Sequence, residues 1–347
     1  MSPQTTPTPT DPIPDGHRDP EMNRFADAMG DLGGVFEEKG DTVSLDDLLD
    51  ALRALGSAPG VKSVVHVFQT FGLDRVRSLA RRLLASGEVR DTDEFGFEPS
   101  YLEPLEPISK WFHDHYFRVE SRGVEHIPDD GRVLLVANHS GTLPYDGAMV
   151  VTAVRFQHPS GRRVRSLVED FIYHLPWLGN FMTRVGAVRA CQENASRLLE
   201  NDQATLVFPE GVKGIGKLFR KRYRLQRFGR GGAVKLAMKA NAPIIPVSIV
   251  GAEESMPLLS KVSWLAKPLG LPYIPVTPTL PLLGPLGLIP LPTKWFIDFG
   301  APIDMAQYDA SSLNDRVLIN RLNEEVRGTI QGMIDRRLSE RKSVFFG

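Results

Sequence analysis

Four short apolar runs, each followed by a turn or a polar residue, constrain the fold of this 347-residue chain more than any other feature. The runs are Arg132–Ala137, Arg163–Val168, Ala204–Phe208 and Pro243–Val250, and stretches with helical periodicity lie between them. Short runs rich in β-branched residues are typical of buried strands, and their alternation with helices is typical of a layered α/β fold. The sequence therefore predicts an α/β protein with a central sheet flanked by helices.

One connection predicts that this sheet is mixed. Tyr116–Glu120 is a further strand candidate, and a turn rich in Gly, Pro and Asp at Ile127–Gly131 joins it to Arg132–Ala137. A connection this short cannot make a parallel crossover. We therefore expect these two strands to form an antiparallel pair.

The chain is predicted to have three parts. Residues 1–43 begin with a proline-rich stretch that has little to pack, which predicts a disordered or poorly ordered tail. Residues 44–97 predict a helical extension whose arginine-rich stretch at 75–84 suits either a membrane surface or a solvated face of a helix packed on the core. Residues 98–347 form the main domain, and an amphipathic helix is predicted at its C-terminus.

Composition narrows the classes of function. The formal net charge of −1 names no partner, and the single cysteine, Cys191, excludes an internal disulfide and suits a reducing compartment. The first 20 residues lack the apolar core of a secretory signal. No apolar run approaches the roughly 20 residues that a membrane-spanning helix needs. We expect a cytoplasmic protein that associates peripherally with a membrane.

An apolar segment at 257–292 is interrupted repeatedly by proline. Proline at this density excludes a long helix and a central strand. An apolar segment of this kind covers a core as a lid, or lies against lipid or an acyl chain. We favour the lipid or acyl interpretation because a plain cover would not need so many leucines.

Four short motifs follow one another: Asn138–Asp146, Gly186–Arg189, Phe208–Gly211 and Ala242–Val247. Their order and character resemble the motif blocks of the glycerolipid (PlsC-like) acyltransferase superfamily, over residues 105–305. The resemblance implies that superfamily's fold. It also implies transfer of a fatty acyl group from an acyl thioester, either acyl-CoA or acyl-carrier protein, to a glycerolipid hydroxyl, with no cofactor and no metal.

The first motif departs from the superfamily's usual spacing. Six residues separate His139 from Asp146, whereas four are usual. In this respect the chain is similar to the membrane diacylglycerol-forming acyltransferases. Seven residues rise about 10.5 Å along a helix and roughly 23 Å along a strand, so the two side chains meet only if the loop folds back. Gly141 and Pro144 suit such a fold, since glycine tolerates a positive φ and proline favours a helix start.

The resemblance implies roles for these residues. His139 would act as general base on the attacking hydroxyl, and Asp146 would hold its tautomer and stabilise the imidazolium. Asp170 is the next acid in this region if Asp146 does not pair. We expect the tetrahedral oxyanion to be bound by backbone N–H groups of Ser140 and Gly141 or by a nearby helix N-terminus.

Other motif residues match positions that bind the acceptor. Arg189 and the pair Glu210 and Gly211 match the family positions that bind the glycerol backbone and head group, and Lys213 adds a cation beside them. A guanidinium suits a phosphate, so Arg189 favours 1-acyl-glycerol-3-phosphate as the acceptor. The spacing of the first motif favours a neutral acceptor, a mono- or diacylglycerol.

A block of basic residues follows the third motif. Residues 211–252 contain no acidic residue, whereas ten basic residues occur there: Lys213, Lys217, Arg220, Lys221, Arg222, Arg224, Arg227, Arg230, Lys235 and Lys239. Such a block predicts an anionic partner, either the phosphates of coenzyme A, the acids of acyl-carrier protein or anionic lipid head groups. No nucleic-acid-binding signature accompanies it, so nucleic acid is not an expected partner.

The sequence also bears on other classes of protein. Ser140 next to His139 would suit a serine hydrolase, but the sequence contains no Gly-x-Ser-x-Gly elbow. Cys191 has no base nearby in sequence, and His113 and His115 lie in an aromatic stretch typical of packing rather than of a metal site. A non-catalytic lipid-binding protein would keep the basic block and the apolar segment without needing His139.

Overall fold

The computed structural model describes residues 91–347 apart from 141, 142, 175, 265, 267–269 and 281–286. The predicted tail at 1–43 lies outside the described residues, and so does the predicted helical extension apart from 91–97. No helix among the described residues is long and apolar enough to cross a membrane.

A central sheet and a small ribbon organise the described residues. Seven strands form the sheet in the order β1-β9-β6-β2-β5-β3-β4, and β7 pairs with β8 to form the separate antiparallel ribbon. The strands are β1 (Glu120–Arg122), β2 (Val133–Ala137), β3 (Val164–Val168), β4 (Val188–Arg189), β5 (Ala204–Val207), β6 (Ile244–Val250), β7 (Ser260–Val262), β8 (Ile274–Val276) and β9 (Phe296–Phe299).

The mixed character of the sheet is confirmed, but the predicted strand pair is wrong. Strands β4, β3, β5, β2 and β6 are parallel, and β9 runs antiparallel to β6. Strand β1 begins at Glu120 and pairs in parallel with β9 at the sheet edge, so that β6 and β9 separate it from β2. The short connection does reverse the chain direction, as expected. The partner of β1, however, comes from far along the chain.

Helices cover both faces of the sheet. They are α1 (Pro99–Leu102), α2 (Glu106–Trp111), α3 (Tyr145–Gln157), α4 (Pro176–Arg184), α5 (Gln192–Glu200), α6 (Val212–Ile215), α7 (Gly232–Ala240), α8 (Ala252–Ser255) and α9 (Arg316–Glu340). Shorter elements are a π-helical turn at Phe112–Tyr116 and 3₁₀ turns at Val124–His126, Asp170–His174, Phe219–Lys221 and Ala310–Asn314. The predicted α/β architecture with a C-terminal helix is confirmed.

Strand β2 shows why its sequence is apolar at every position. Leu134 and Val136 pack into the cluster under α5, α7 and α9, whereas Val133, Leu135 and Ala137 pack into the cluster under α3. All five residues are fully buried. A strand covered by helices on both faces has no solvent side, so the alternation of apolar and polar residues disappears.

Helix α9 confirms the predicted amphipathic C-terminal helix. The Asp315 carboxylate caps it by accepting hydrogen bonds from the N–H groups of Val317 and Leu318. The apolar residues of its buried face are Ile319, Leu322, Val326, Ile330 and Ile334. Val317 is exposed, because it lies two residues before Ile319, which corresponds to a rotation of about 200° around the helix.

The apolar segment at 257–292 contains regular structure that was not expected. Strands β7 and β8 form a two-stranded ribbon within it, with Pro275 in the middle of β8. A two-stranded ribbon consists only of edge strands, which tolerate a residue without an N–H. Proline thus excludes a long helix and a central strand here, as predicted, but not a short ribbon.

The side chain of Asn138 continues strand β2 for one more step. The ladder between β2 and β6 ends with Ala137 opposite Val247. The Asn138 amide then donates to the carbonyl of Ile249 at 3.0 Å and accepts from its N–H at 2.7 Å. A fully buried side chain thus replaces backbone pairing. The main chain at His139 can therefore leave the sheet without orphaned polar groups on β6.

We predict that Asn138→Leu lowers the free energy of unfolding by about 2–4 kcal/mol, because it leaves the buried N–H and C=O of Ile249 without partners. Chemical denaturation measures this change. Asn320→Leu on the exposed side of α9 is the matched control, expected to change stability by less than about 0.5 kcal/mol. Equal effects of the two substitutions would contradict the role assigned to Asn138.

Candidate active site

The predicted site residues lie at one edge of the sheet. Strands β2, β5, β3 and β4 are adjacent and parallel, so the residues that follow them meet at their carboxyl ends. His139 follows β2, Glu210 and Gly211 follow β5, and Glu169 follows β3, while Arg189 ends β4. Clefts at the carboxyl ends of parallel strands are the usual ligand sites of open α/β sheets. At about 4.8 Å per strand, roughly 14 Å separates the strand of His139 from that of Arg189.

His139 and Asp146 form a hydrogen bond despite the six residues between them. His139 Nδ1 lies 2.6 Å from Asp146 Oδ2. The return of the chain is visible at Leu143, whose carbonyl accepts from the N–H of Tyr145, and at Pro144, which precedes the first residue of α3. Asp146 therefore lies in the first turn of α3, where the helix dipole favours a negative charge.

Backbone N–H groups hold the Asp146 carboxylate in place. Oδ2 also accepts from the N–H of Ser140 at 2.9 Å, and Oδ1 accepts from the N–H of Gly147 at 2.8 Å. The carboxylate is only 1% exposed. An acid with all its bonds made inside the protein cannot swing away from His139, so the tautomer of the imidazole is fixed.

The contacts of Ser140 disagree with the predicted oxyanion role. Its N–H points at Asp146 and is therefore not available to an oxyanion. Its hydroxyl is buried and has no hydrogen-bond partner among the described residues. Gly141, the other predicted donor, lies outside the described residues.

Phe208 and Gly214 fix the position of the His139 ring. The imidazole stacks on the Phe208 ring with centroids 4.3 Å apart and planes 23° apart. A Cβ placed on Gly214 would lie 2.8 Å from the Cβ atoms of both His139 and Glu210. Phe208 belongs to the third motif, but no role was predicted for it. Nothing in the sequence distinguishes Gly214 from the neighbouring glycines at 211 and 216.

Glu210 is placed beneath the site rather than in it. Its Oε1 accepts the N–H of His139 at 3.0 Å, and its Oε2 accepts the N–H of Gln226 at 2.6 Å. Its side chain is fully buried. The predicted contact of Glu210 with the acceptor therefore disagrees with its location. A carboxylate that receives two backbone N–H groups holds the chain around His139 instead.

Lys217 and Glu253 complete a buried cluster of charges around Glu210. Lys217 Nζ lies 3.0 Å from Glu253 Oε1 and 3.5 Å from Glu210 Oε2. Burial by itself lowers the pKa of Lys217, but the charges of the two carboxylates outweigh it and raise that pKa above its ordinary value. Neither residue was identified from the sequence as part of the site.

Arg189 and Asp170 pair with each other at the far end of the site. Arg189 donates to both oxygens of Asp170, at 2.6 and 2.8 Å, and both side chains are more than half exposed. The guanidinium lowers the pKa of Asp170 below its usual value. Asp170 is thus the partner of Arg189, while Asp146 is the acid that pairs with His139. An exposed ion pair contributes little free energy and opens readily to a ligand.

Gly211 and Glu169 lie in contact between these two ends. Gly211 has a φ of +54°, and a Cβ there would lie 2.8 Å from Glu169 Oε1. Both the backbone conformation and the close approach therefore require glycine. Lys213, two residues on, is exposed and makes no ion pair with the described residues.

The basic block divides between the interior and the surface. Lys217 is buried, and Arg222 lies over the Phe219 ring and within 3.8 Å of Glu254. The exposed members without an ion pair to a described residue are Lys213, Arg220, Lys221, Arg227, Arg230, Lys235 and Lys239. The predicted surface for an anionic partner is thus smaller than the charge count implies.

Comparison with known proteins identifies the family. The family model described as Acyltransferase matches residues 118–250. Uncharacterized proteins of Mycobacterium tuberculosis and Mycobacterium bovis are 48% identical over 256 residues, which cover 74% of this chain and 72% of each relative. An uncharacterized protein of Mycobacterium leprae is also 48% identical and is covered over 70% of its length. The chain belongs to the acyltransferase family.

A solved structure supports the same fold. The crystal structure of the 1-acyl-sn-glycerophosphate acyltransferase PlsC from Thermotoga maritima matches 82% of this chain and 100% of that chain, with a TM-score of 0.51 and 17% identity. At this identity the likeness concerns the fold alone. The predicted PlsC-like fold is thus confirmed, while the glycerolipid acceptor class and the branch suggested by the long first motif stay predictions.

We predict that Gly214→Ala lowers acyl transfer by about 100-fold, because the new methyl group displaces His139, and a catalytic group displaced by about 1 Å costs this much. Steady-state kinetics measure the change. Gly332→Ala in α9 is the control, since a Cβ there meets nothing within 4 Å, and it should leave activity unchanged. Full activity of Gly214→Ala would contradict the tight contact between Gly214 and His139.

Proposed function

We propose that this protein transfers a fatty acyl group from an acyl thioester to the hydroxyl of a glycerolipid, with His139 as the general base. The observation that carries this proposal is the bond between His139 Nδ1 and the buried Asp146 carboxylate. That bond places the proton of a neutral imidazole on Nδ1, so Nε2 is the basic nitrogen. Nε2 makes no hydrogen bond to a described residue, and the side chain is 15% exposed. A substrate hydroxyl can therefore reach it.

The chemistry needs no acyl-enzyme intermediate, because a thioester is already activated. Nε2 of His139 accepts the proton of the acceptor hydroxyl as its oxygen attacks the thioester carbonyl carbon. Asp146 stabilises the imidazolium that forms. The tetrahedral intermediate then collapses, the C–S bond breaks, and the imidazolium protonates the departing thiolate. The ester and the free thiol are the products, and no cofactor takes part.

Arg189 supports 1-acyl-glycerol-3-phosphate as the acceptor. Its guanidinium is exposed and can exchange the Asp170 carboxylate for a phosphate, and Lys213 offers a second cation beside Gly211. The step would belong to phospholipid biosynthesis. The donor is acyl-CoA or acyl-carrier protein. A neutral acceptor, mono- or diacylglycerol, is the second candidate. It is favoured by the carboxylate of Glu169 beside Gly211, which makes no ion pair with a described residue, repels phosphate and accepts a hydroxyl.

We predict that His139→Ala lowers kcat by roughly 10²–10⁴-fold, the contribution of a general base. Asp146→Asn should also lower it, because the amide no longer stabilises the imidazolium. The assay combines long-chain acyl-CoA or acyl-carrier protein with a panel of lysophosphatidate, monoacylglycerol and diacylglycerol, and identifies products by mass spectrometry. His115→Ala, an exposed histidine outside the site, is the control.

The outcomes of this assay separate the alternatives. Product from lysophosphatidate that falls in Arg189→Ala supports the phosphorylated acceptor, whereas product from a neutral acceptor that is insensitive to Arg189→Ala supports the second candidate. Equal activity of wild type and His139→Ala, or no activity with any acceptor, would leave a lipid-binding protein without catalysis as the better interpretation.

The proposed partner of the site is a membrane surface, with the protein peripheral to it on the cytoplasmic side. Leu259, Trp264, Leu288 and Ile289 of the apolar segment are exposed. This segment borders the site on two sides. The Tyr273 hydroxyl donates to the carbonyl of Ile215 in α6, and the Tyr145 hydroxyl lies 3.5 Å from the carbonyl of Leu288.

Cations accompany these apolar residues. Lys213, Arg220 and Lys221 are exposed near α6, and Lys261 lies on β7 between Leu259 and Trp264. Exposed Trp and Leu beside cations suit the interface of an anionic membrane, where the ring enters the head-group region and the cations meet lipid phosphates. A lipid acceptor would then reach His139 without leaving the membrane.

We predict that the double substitution Leu259→Ser and Trp264→Ser weakens binding to anionic vesicles at least about tenfold, because two apolar side chains no longer enter the interface. Vesicle sedimentation measures the binding. Val317→Ser with Phe346→Ser is the control, since these residues are equally exposed but lie outside the apolar segment. An equal loss in both double variants would contradict the assignment of the segment as the docking surface.

A further inference from the structure

Lys217 is a buried cation that the proposed reaction does not use. Its side chain is 2% exposed, and the side chains of its partners Glu210 and Glu253 are 0% and 7% exposed. A second bond fixes Glu253, whose Oε1 also accepts the N–H of Tyr223 at 3.1 Å. Three charged groups buried together are costly to desolvate, and a hydrophobic cluster would be an alternative of similar volume. The arrangement therefore calls for a functional reason.

We propose that Lys217 is a positioning residue for His139 that acts through Glu210. The inference rests on the proposed role of His139 as the base. The path is short: Lys217 Nζ lies 3.5 Å from Glu210 Oε2, and Glu210 Oε1 holds the N–H of His139 at 3.0 Å. Lys217 touches neither substrate nor the imidazole, so its effect comes from the charge it places beside Glu210.

The charge state of Glu210 decides whether it can hold His139. An ionised carboxylate only accepts hydrogen bonds, and both oxygens of Glu210 face backbone N–H groups, those of His139 and Gln226. A protonated Glu210 would direct an O–H donor at one of these N–H donors. The chain at His139 or at Gln226 would then have to move. Lys217 supplies the positive charge that neutralises this buried carboxylate, since its Nζ lies 3.5 Å from Glu210 Oε2.

Glu253 is a second buried carboxylate beside Lys217, and its charge is the reason that the cluster needs a cation. Burial raises the pKa of Glu253 above its ordinary value, and the negative charge of Glu210 adds to the effect, whereas Lys217 opposes it. Among the described residues, the other titratable groups near this cluster are Glu254, which Arg341 and Arg222 pair with, Tyr223, whose pKa burial raises, and Glu169 near Gly211. Without Lys217 the cluster would hold two buried carboxylates and no cation, so one proton would have to reduce the net charge of −2.

The test is the pH dependence of Lys217→Met. At low pH the carboxylate pair of the variant should hold one proton, and kcat should fall about 100-fold below wild type, the cost of a misplaced base. As the pH rises the pair loses this proton, so the ratio of variant to wild-type kcat should rise. KM should change less than kcat. The ratio removes the titration of His139 itself, which both proteins share.

Three further variants separate charge from packing. Glu253→Gln keeps the pair of Lys217 and Glu210, so the ratio of its kcat to that of wild type should not change with pH. The double variant Lys217→Met with Glu253→Gln removes the competing carboxylate, and its kcat should exceed that of Lys217→Met at low pH and lack the rise. Glu210→Gln should lose activity at every pH, because its amide nitrogen cannot accept an N–H. If Lys217→Met does not fold, Glu210→Gln and Glu253→Gln still test the proposal.

A measurement without turnover distinguishes this proposal from the proposed function. The proton between His139 Nδ1 and Asp146 should give a far-downfield NMR signal in wild type and in Glu253→Gln, and lose it in Glu210→Gln and in Lys217→Met at low pH. Wild type without transferase activity but with this pattern would overturn only the proposed function. A pH-independent loss in Lys217→Met, no loss at all, or an unchanged NMR signal would overturn the positioning role.

Discussion

Two buried carboxylates hold His139 from opposite ends, and the geometry of the site depends on them. Asp146 binds the imidazole, and Glu210 binds the backbone N–H of the same residue. Each carboxylate also accepts other backbone N–H groups, those of Ser140 and Gly147 for Asp146 and that of Gln226 for Glu210. A residue that leaves the end of a strand would otherwise expose unpaired donors. Here the carboxylates that accept from these donors fix the position of His139 and the tautomer of its ring.

The strands and motifs around the site were predicted from local signals, since apolar runs that end in turns are visible in the sequence. The parallel order of β2, β5, β3 and β4, which the structure shows, then brings the motifs at 138, 186 and 208 to one edge of the sheet. The loop between His139 and Asp146 also carried its own signal in Pro144, which precedes helix α3. The pairing of β1 with β9 carried no such signal, because the two strands are more than 170 residues apart.

The sequence could not predict that the Glu210 side chain points into the interior, because its hydrogen-bond partners are distant in sequence. In the sequence Lys217 is one of ten residues of the basic block, and nothing near it indicates burial. In the structure it is buried and donates to Glu253, which lies 36 residues later. Charge along a sequence does not distinguish a cation that faces solvent from one that neutralises a buried carboxylate. Glu169 was missed for a related reason, because only the fold of β3 beside β5 brings it against Gly211.

The proposed base and the proposed acceptor-binding residues lie apart along the sheet edge. His139 follows β2, in a cluster closed by Phe208, Gly214 and buried charges, where small displacements are costly. Arg189 at the end of β4 and Asp170 after β3 are more than half exposed and form an ion pair with each other. None of the contacts that hold His139 among the described residues involves this pair. If the proposed roles hold, the preference for a phosphorylated or a neutral acceptor can therefore change at the ends of β3 and β4, while His139 and its two carboxylates stay constrained by packing.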